Sequence, residues 1–331
     1  MRKTVRLQKL RQQSQQPNLI EVNDEGNRGQ QASSGSAAVT GTCRARISNV
    51  MELKMPKRIA ALIVCFVLVG VGSGGEKTPG FLGSLQTHTW EVGAEISHIK
   101  YKEPGVMEEE GTMYGLIGSY TYRDWVRPDS EVSDGGRMLR LEGRYSWGEV
   151  DYDGSITGET PYTVSDVDDY LLEFRLLAGN DAVTSKGMNT GYLGFGYRYL
   201  NDDASFDPYG YERESNYFYM PFGIQTTNDL GDGLSFGLAG EFDLLLFGIQ
   251  VSHLSDVDPS YDDVKNFQWL GFGLRGSTKL QKKTKHLDII VEPFIRYWWV
   301  EESDPQYIDG AIVWEPRNRS LEYGIHLLFR F

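Results

Sequence analysis

Asp151-Tyr152-Asp153-Gly154 sets two carboxylates at i and i+2, a spacing that turns both side chains the same way on extended backbone. Farther along, His253 is followed by Asp256, Asp258, Asp262 and Asp263. A carboxylate pair facing an acid-supported histidine can activate a water for attack on a peptide bond. The same residues have plainer readings: Asp-Tyr-Asp-Gly suits a turn, and the second segment suits a solvated acidic surface. Asp256, Asp258 and Asp262 also offer oxygen ligands to a cation such as Ca²⁺. They lack the glycine and the terminal glutamate of an EF-hand. Ser252-His253 is an adjacent pair suited to a lipid-modifying chemistry, and no further motif supports it. Gly271-Phe272-Gly273-Leu274-Arg275-Gly276 has the spacing of a dinucleotide-binding loop, but no helical period follows. The histidines at 88, 98, 253, 286 and 326 form no metal-spaced pair, and no metal or cofactor is expected.

The elements that must position these residues are strands. Period-two patterning marks ten segments, near 88–103, 111–125, 137–149, 168–180, 190–201, 215–227, 233–252, 265–280, 286–301 and 320–331. In 137–149, Leu139, Leu141, Tyr145 and Trp147 oppose Arg140, Glu142 and Arg144. In 168–180, Leu172, Phe174 and Leu176 oppose Glu173 and Arg175. In 286–301, Ile289, Val291, Ile295, Tyr297 and Trp299 oppose Asp288, Glu292 and Arg296. Connections alternate in character. Residues 228–232 and 282–285 suit short turns on one side. Residues 150–167, 202–214, 253–264 and 302–319 are longer, rich in Asp, Tyr and Gly, and fall on the other.

A soluble sandwich buries its apolar face and solvates the polar one. Here the ionisable residues stand opposite one another across a closed interior, which implies an all-β transmembrane antiparallel β-barrel of about ten strands. The acids of that interior are Glu91, Glu95, Glu142, Glu173, Glu241, Asp243, Asp288, Glu292 and Glu322. Facing them are Arg140, Arg144, Arg175, Arg198, Arg275, Arg296 and Arg330, with His326. Near-balance of guanidinium and carboxylate groups implies a paired network filling a narrow lumen. Hydrophobic content of 40% and the absence of a run of about 18 apolar residues exclude a bundle of spanning helices.

In the final stretch, Tyr323, Ile325, Leu327, Phe329 and Phe331 share one face, against Glu322, Gly324, His326 and Arg330. This resembles the closing strand of bacterial outer-membrane β-barrel proteins. The resemblance implies that Tyr323, Gly324, Phe329 and Phe331 carry the signal read by the barrel-insertion machinery, and that outer-membrane lipid surrounds the barrel. In size and strand number the chain is also similar to omptins, ten-stranded outer-membrane proteases. By that resemblance Asp151 and Asp153 match the catalytic aspartate pair, and His253 the dyad histidine. Omptins place the dyad aspartate two residues before the histidine, where this chain has Val251, so Asp256 would have to serve from the other side. Three functions are therefore carried forward. The first is a structural or surface-interaction role, with an extracellular macromolecular ligand at the polar loops. The others are an omptin-like protease and a narrow channel.

The start of the chain reads differently. Residues 1–50 are rich in Gln, Ser, Arg and Gly without apolar period and read as a disordered or non-native upstream extension. In 51–75, basic residues precede the apolar run Ile59 to Val71, and small residues follow it, as in a secretory signal peptide. Translation is then expected to begin at Met51 or Met55, with the barrel in 76–331. Both cysteines, Cys43 and Cys65, precede the expected cleavage point, so no thiol chemistry is expected beyond it. The chain's formal net charge is -13, and up to Arg58 there are 11 basic and 4 acidic residues, leaving about -20 beyond. Such a domain repels nucleic acid.

Overall fold

The computed structural model describes residues 20–21, 86–125, 135–156, 160–184, 187–308 and 311–331. Apart from β1 (Ile20–Glu21), a two-residue strand, the stretches read as an upstream extension and as a signal peptide lie outside the described residues. The barrel wall begins with β2 (His88–Glu103), β3 (Met107–Trp125), β4 (Gly135–Ile156) and β5 (Thr160–Val183). It continues through β6 (Gly187–Asp203), β7 (Glu212–Gly231) and β8 (Leu234–Ser252). Next come β9 (Val264–Gln268) and β10 (Gly271–Lys283), which both pair with β8 and form one wall strand interrupted at Trp269-Leu270. After β11 (Asp288–Val300), the small hairpin of β12 (Gln306–Ile308) and β13 (Ala311–Val313) leads to β14 (Asn318–Arg330).

Every wall pairing is antiparallel, and β14 pairs with β2 to close a ten-strand ring. The seam runs to the last residue, where the Trp90 and Phe331 amides each donate to the other's carbonyl at 2.9 and 3.0 Å. Closure leaves no free sheet edge around the ring, the condition for placing strands in lipid.

Alternation fixes which medium each side chain meets. Phe174 is 50% exposed and its neighbour Glu173 is 3% exposed. Val92, Leu116, Leu141, Phe195, Ile295 and Leu327 are exposed like Phe174, while Glu95, Arg144, Arg198, Glu241 and Glu322 are buried. The protein is inside out relative to a soluble barrel.

The two rims differ, and at one of them the sequence reading is corrected. Residues 150–167 do not form a loop, because β4 runs on to Ile156 and β5 starts at Thr160. A bulge near Asp166, whose φ is 60°, adjusts the register of this long hairpin. At the opposite rim β7 passes into β8 through Asp232 and Gly233, with φ of 53° and 72°. Gly231 before them has φ of 87°, so three left-handed residues in a row make the turn, two of them glycines that adopt this conformation without strain.

Candidate functional site

The lumen is organised in layers, each built from inward positions of several strands. In the middle, Arg144 of β4 binds Glu95 of β2 at 2.6 Å and Glu322 of β14 at 2.8 Å. Arg198 of β6 reaches the same Glu322 at 2.8 Å, and Arg296 of β11 lies 3.5 Å from both Glu95 and Glu322. His326 bridges Glu95 at 2.9 Å and Glu292 at 3.4 Å. A second group centres on Arg275 of β10, which pairs with Glu173 of β5, Asp243 and Glu241. Glu241 also pairs with Arg175, and Arg175 and Arg140 share Glu142. At the rim holding the chain's end, Arg330 pairs with Glu91, and Lys279 stands between Glu91 and Glu292. Around these groups lies a cavity of about 110 Å³, lined in part by Glu91, Arg140, Glu142, Lys279, Glu292 and His326. At about 30 Å³ per molecule it has room for a few waters.

Above the charged layers sits an aromatic plug of Tyr217, Tyr219, Leu245, Trp298 and Val300. Trp298 meets Tyr219 edge-on at 5.1 Å and stacks on Tyr217 at 5.9 Å. Glycines make the space. A Cβ on Gly273 would come 2.9 Å from the Trp298 ring, and one on Gly196 would come 2.1 Å from the Tyr219 ring. Of the glycines in the dinucleotide-like spacing, Gly271 and Gly273 therefore serve packing within β10, while a Cβ on Gly276 would meet only Ile295, at 3.6 Å.

Two pairings decide whether the lumen is open. Arg198 and Glu322 lie on β6 and β14, five strands apart in a ring of ten and so diametrically opposed. Arg213 of β7 and Glu103 of β2, 3.0 Å apart, are opposed in the same way nearer the other rim. Side chains therefore cross the full width of the barrel at two levels.

The proposed catalytic residues are not brought together. Asp151 and Asp153 continue the outward parity of Leu141, Tyr145 and Trp147 and are exposed on the outer face of β4. Their cross-strand partners are Glu110 and Glu108. His253 stands at the end of β8, four strands around the ring. At about 4.8 Å per strand that is roughly 19 Å along the wall, too far to share one water. Both His253 nitrogens are also taken. Nδ1 lies 3.1 Å from Asp263, and Nε2 lies 3.4 Å from Glu214.

The acid beside the histidine is thus Asp263, and Asp256 instead accepts the Glu212 amide at 3.1 Å. Burial disfavours the imidazolium, but Asp263 and Glu214 outweigh it and raise the His253 pKa above its ordinary value. Asp263 also binds the Ser255 hydroxyl at 2.7 Å and its amide at 3.3 Å. Asp258 accepts the Ser260 amide and hydroxyl. The acidic residues of this segment brace its own backbone. They do not converge on a cation, and among the described residues no cluster of three or more His, Cys, Asp or Glu could hold a metal ion.

Sequence reasoning passed over a buried group at the rim formed by the end of β2 and the start of β7. Arg213 holds Glu103, Glu109 and Asp202, with Asp169 and Glu315 buried nearby. Carrying the inward parity of β2 from Glu91 through Glu95 and Ile99 would have reached Glu103. Arg213 fell just outside the segment read as strand. Tyr152 and Tyr162 of the β4–β5 hairpin are partly buried. Both pack against a luminal apolar cluster that includes Ile99, Met113, Val150 and Leu171. Among the described residues, the exposed aromatics in the connections at this rim are Phe206, Tyr209 and Tyr307.

An antiparallel barrel with an apolar outside, a charged inside and no free edge in its ring is an outer-membrane β-barrel, and its location is the bacterial outer membrane. No family model matches the chain, and no curated protein matches it. Among solved structures it is similar to the translocator domain of the autotransporter NalP from Neisseria meningitidis. That match has 10% identity and a TM-score of 0.37, and covers 82% of this chain and 96% of that one. It is also similar to Neisserial surface protein A, at 12% identity and a TM-score of 0.28, over 72% and 96% of the two chains. Ail, the attachment invasion locus protein of Yersinia pestis, matches at 11% identity and a TM-score of 0.25, over 74% and 100%. The assignment rests on the chain's own geometry.

Proposed function

We propose that this protein is a sealed outer-membrane barrel that presents its extracellular strand ends and loops as a surface for a macromolecular ligand. The observation that carries this reading is the pair of diametric bridges, Arg198–Glu322 and Arg213–Glu103. With the lumen crossed twice, function falls to the outer surface. That surface comprises the ends of β4 and β5 and the segments 204–211, 253–263, 301–308 and 311–317. Its outward acids include Glu108, Glu110, Glu149, Asp151, Asp153 and Asp168, and Phe206, Tyr209 and Tyr307 add exposed rings. Rings beside polar groups suit contact with a partner, and the acids select one of positive charge.

Cells displaying the barrel should bind a basic protein or peptide, and binding should weaken as salt rises, since exposed charges are screened beyond about 8 Å at physiological ionic strength. Charge reversal of Asp151 and Asp153 to Lys should weaken it further. Binding indifferent to both salt and the reversal would reject the reading. No peptide cleavage that is lost in His253→Ala is expected.

A further inference from the structure

The outward face of the wall gathers cations at the seam between β14 and β2, on the rim away from the chain's end. Along β2 the even-numbered residues face outward, since Glu91, Glu95, Ser97 and Ile99 are buried while Val92 and Ile96 are exposed. Lys100 and Lys102 continue that outward set. Along β14 the outward residues are odd-numbered and run from Leu327, Ile325 and Tyr323 to Leu321 and Arg319. Register sets Arg319 directly opposite Lys102 across the seam, and opposite Trp299 of β11 on its other side. Arg317, just before the strand, is exposed as well.

Like charges placed directly opposite destabilise a strand pair. The lysines have acids to relieve them: Lys102 pairs with Glu108 at 2.5 Å, and Lys100 with Glu110 at 2.9 Å and with Glu108. Two acids thus serve two lysines. Among the described residues no acid pairs with Arg317 or Arg319. These cations are also a local feature. Outward positions of β3, β4 and β5 at the same rim are Glu108, Glu110, Glu149, Asp151, Asp153 and Asp168. An exposed guanidinium beside an ammonium, with no acid of the chain to share, calls for an anion from outside it.

The strand itself sets the depth of Arg319. Phe329 lies ten residues farther along β14, near the opposite rim. At about 3.4 Å per residue that is roughly 34 Å of strand. A tilt of about 40° makes it roughly 26 Å along the membrane normal, the height of an apolar band of about 25 Å. Leu321, Tyr323, Ile325 and Leu327 fill the interval, and Arg319 stands at its edge. Trp299 and Tyr323 mark the same boundary, because indole and phenol rings settle at headgroup level. Lipid phosphates lie at that level.

We propose that the β14–β2 seam seats the phosphate of an anionic lipid from the leaflet at this rim, held by Arg319 with Arg317 and Lys102. A guanidinium fork matches two phosphate oxygens at once and keeps its charge at physiological pH. The acyl chains then lie along Leu321, Tyr323, Ile325 and Leu327, which lead from Arg319 down the same face. Charge selects phosphate here and repels it from the acidic positions of β3 to β5. Depth selects a lipid over a soluble anion, because apolar wall begins directly below the arginine. This site and the acidic surface proposed above occupy different arcs of the rim, and neither depends on the other.

Native mass spectrometry of the full folded barrel, in detergent holding equal amounts of phosphatidylglycerol and phosphatidylcholine, tests this. The wild type should retain phosphatidylglycerol in preference to phosphatidylcholine. Arg319→Gln should lower that preference about fivefold, the effect of one basic residue at a charged membrane surface, and adding Arg317→Gln should lower it further. Both side chains are exposed, so the variants should fold, and heat-modifiable mobility checks that they do. Lys285→Gln removes an exposed cation at the opposite rim and should leave the preference unchanged. Neither inorganic phosphate nor polyglutamate should displace the retained lipid. A wild type without preference overturns the proposal, and so does an equal loss in Lys285→Gln. Displacement by phosphate or polyglutamate also overturns it, since the seam would then be a site for a soluble anion or an acidic protein.

Discussion

Phe174 and Arg175 are neighbours in the chain and meet opposite media. Phe174→Arg places a guanidinium in the lipid-facing band and should cost about 2–4 kcal/mol. Arg175→Lys keeps the charge beside Glu142 and Glu241, loses the two-pronged geometry, and should cost less. Denaturant unfolding of the two purified variants checks the order, and equal losses would reverse the face assignment. His253 offers a pH-dependent counterpart in the outer loop. Its clasp by Asp263 and Glu214 raises its pKa, so the clasp is complete below the ordinary imidazole value of 6.5 and disappears as pH rises through the raised value. An NMR titration should place His253 above 6.5, and Asp263→Asn should bring it down.

The strands were readable because lipid outside and charge inside impose a strict period of two, and β2 has the bounds its pattern gave. The outer ends of β4 and β5 were not. Beyond Tyr145 and Trp147 the outward positions become Glu149, Asp151, Asp153 and Asp168, so alternation of polarity ends although the strand continues. That same change of medium made Asp151 and Asp153 look like a loop pair. Their shared direction was inferred correctly from the i, i+2 spacing, but it points away from the lumen. What the aspartates face depends on β4's parity continuing past its apolar stretch, and local residue types do not reveal that. At the other end of the chain, β14 carries a prediction of its own. Phe331 is 52% exposed and closes the seam with Trp90 through two backbone bonds. Deleting Phe331 should lower the amount of heat-modifiable barrel in cells, while the purified variant still refolds in detergent. An unchanged cellular level would separate this residue from assembly.

Ten strands make a barrel little wider than its own side chains can fill, and this chain fills it with paired charges capped by an aromatic plug. Arg144, Arg175, Arg275 and Arg296 each serve more than one carboxylate, so the network is not a sum of independent pairs. Arg275 alone touches Glu173, Glu241 and Asp243. Removing it strands buried acids, and Arg275→Ala should cost about 3–5 kcal/mol. The same network should resist salt, because buried pairs are screened far less than surface ones. Closure gives the sharper test. Ions entering from outside must pass the Arg213 cluster and the Trp298–Tyr219 contact, and then the Arg198–Glu322 bridge. Reconstituted in a planar bilayer, the wild-type barrel should show no steady ionic current. Trp298→Ala should not open it either, because the ionic bridges lie on different strands from the tryptophan and still span the lumen. Steady conductance in the wild type would mean that the bridges part in the membrane, and the narrow-channel reading would then displace the surface-binding one.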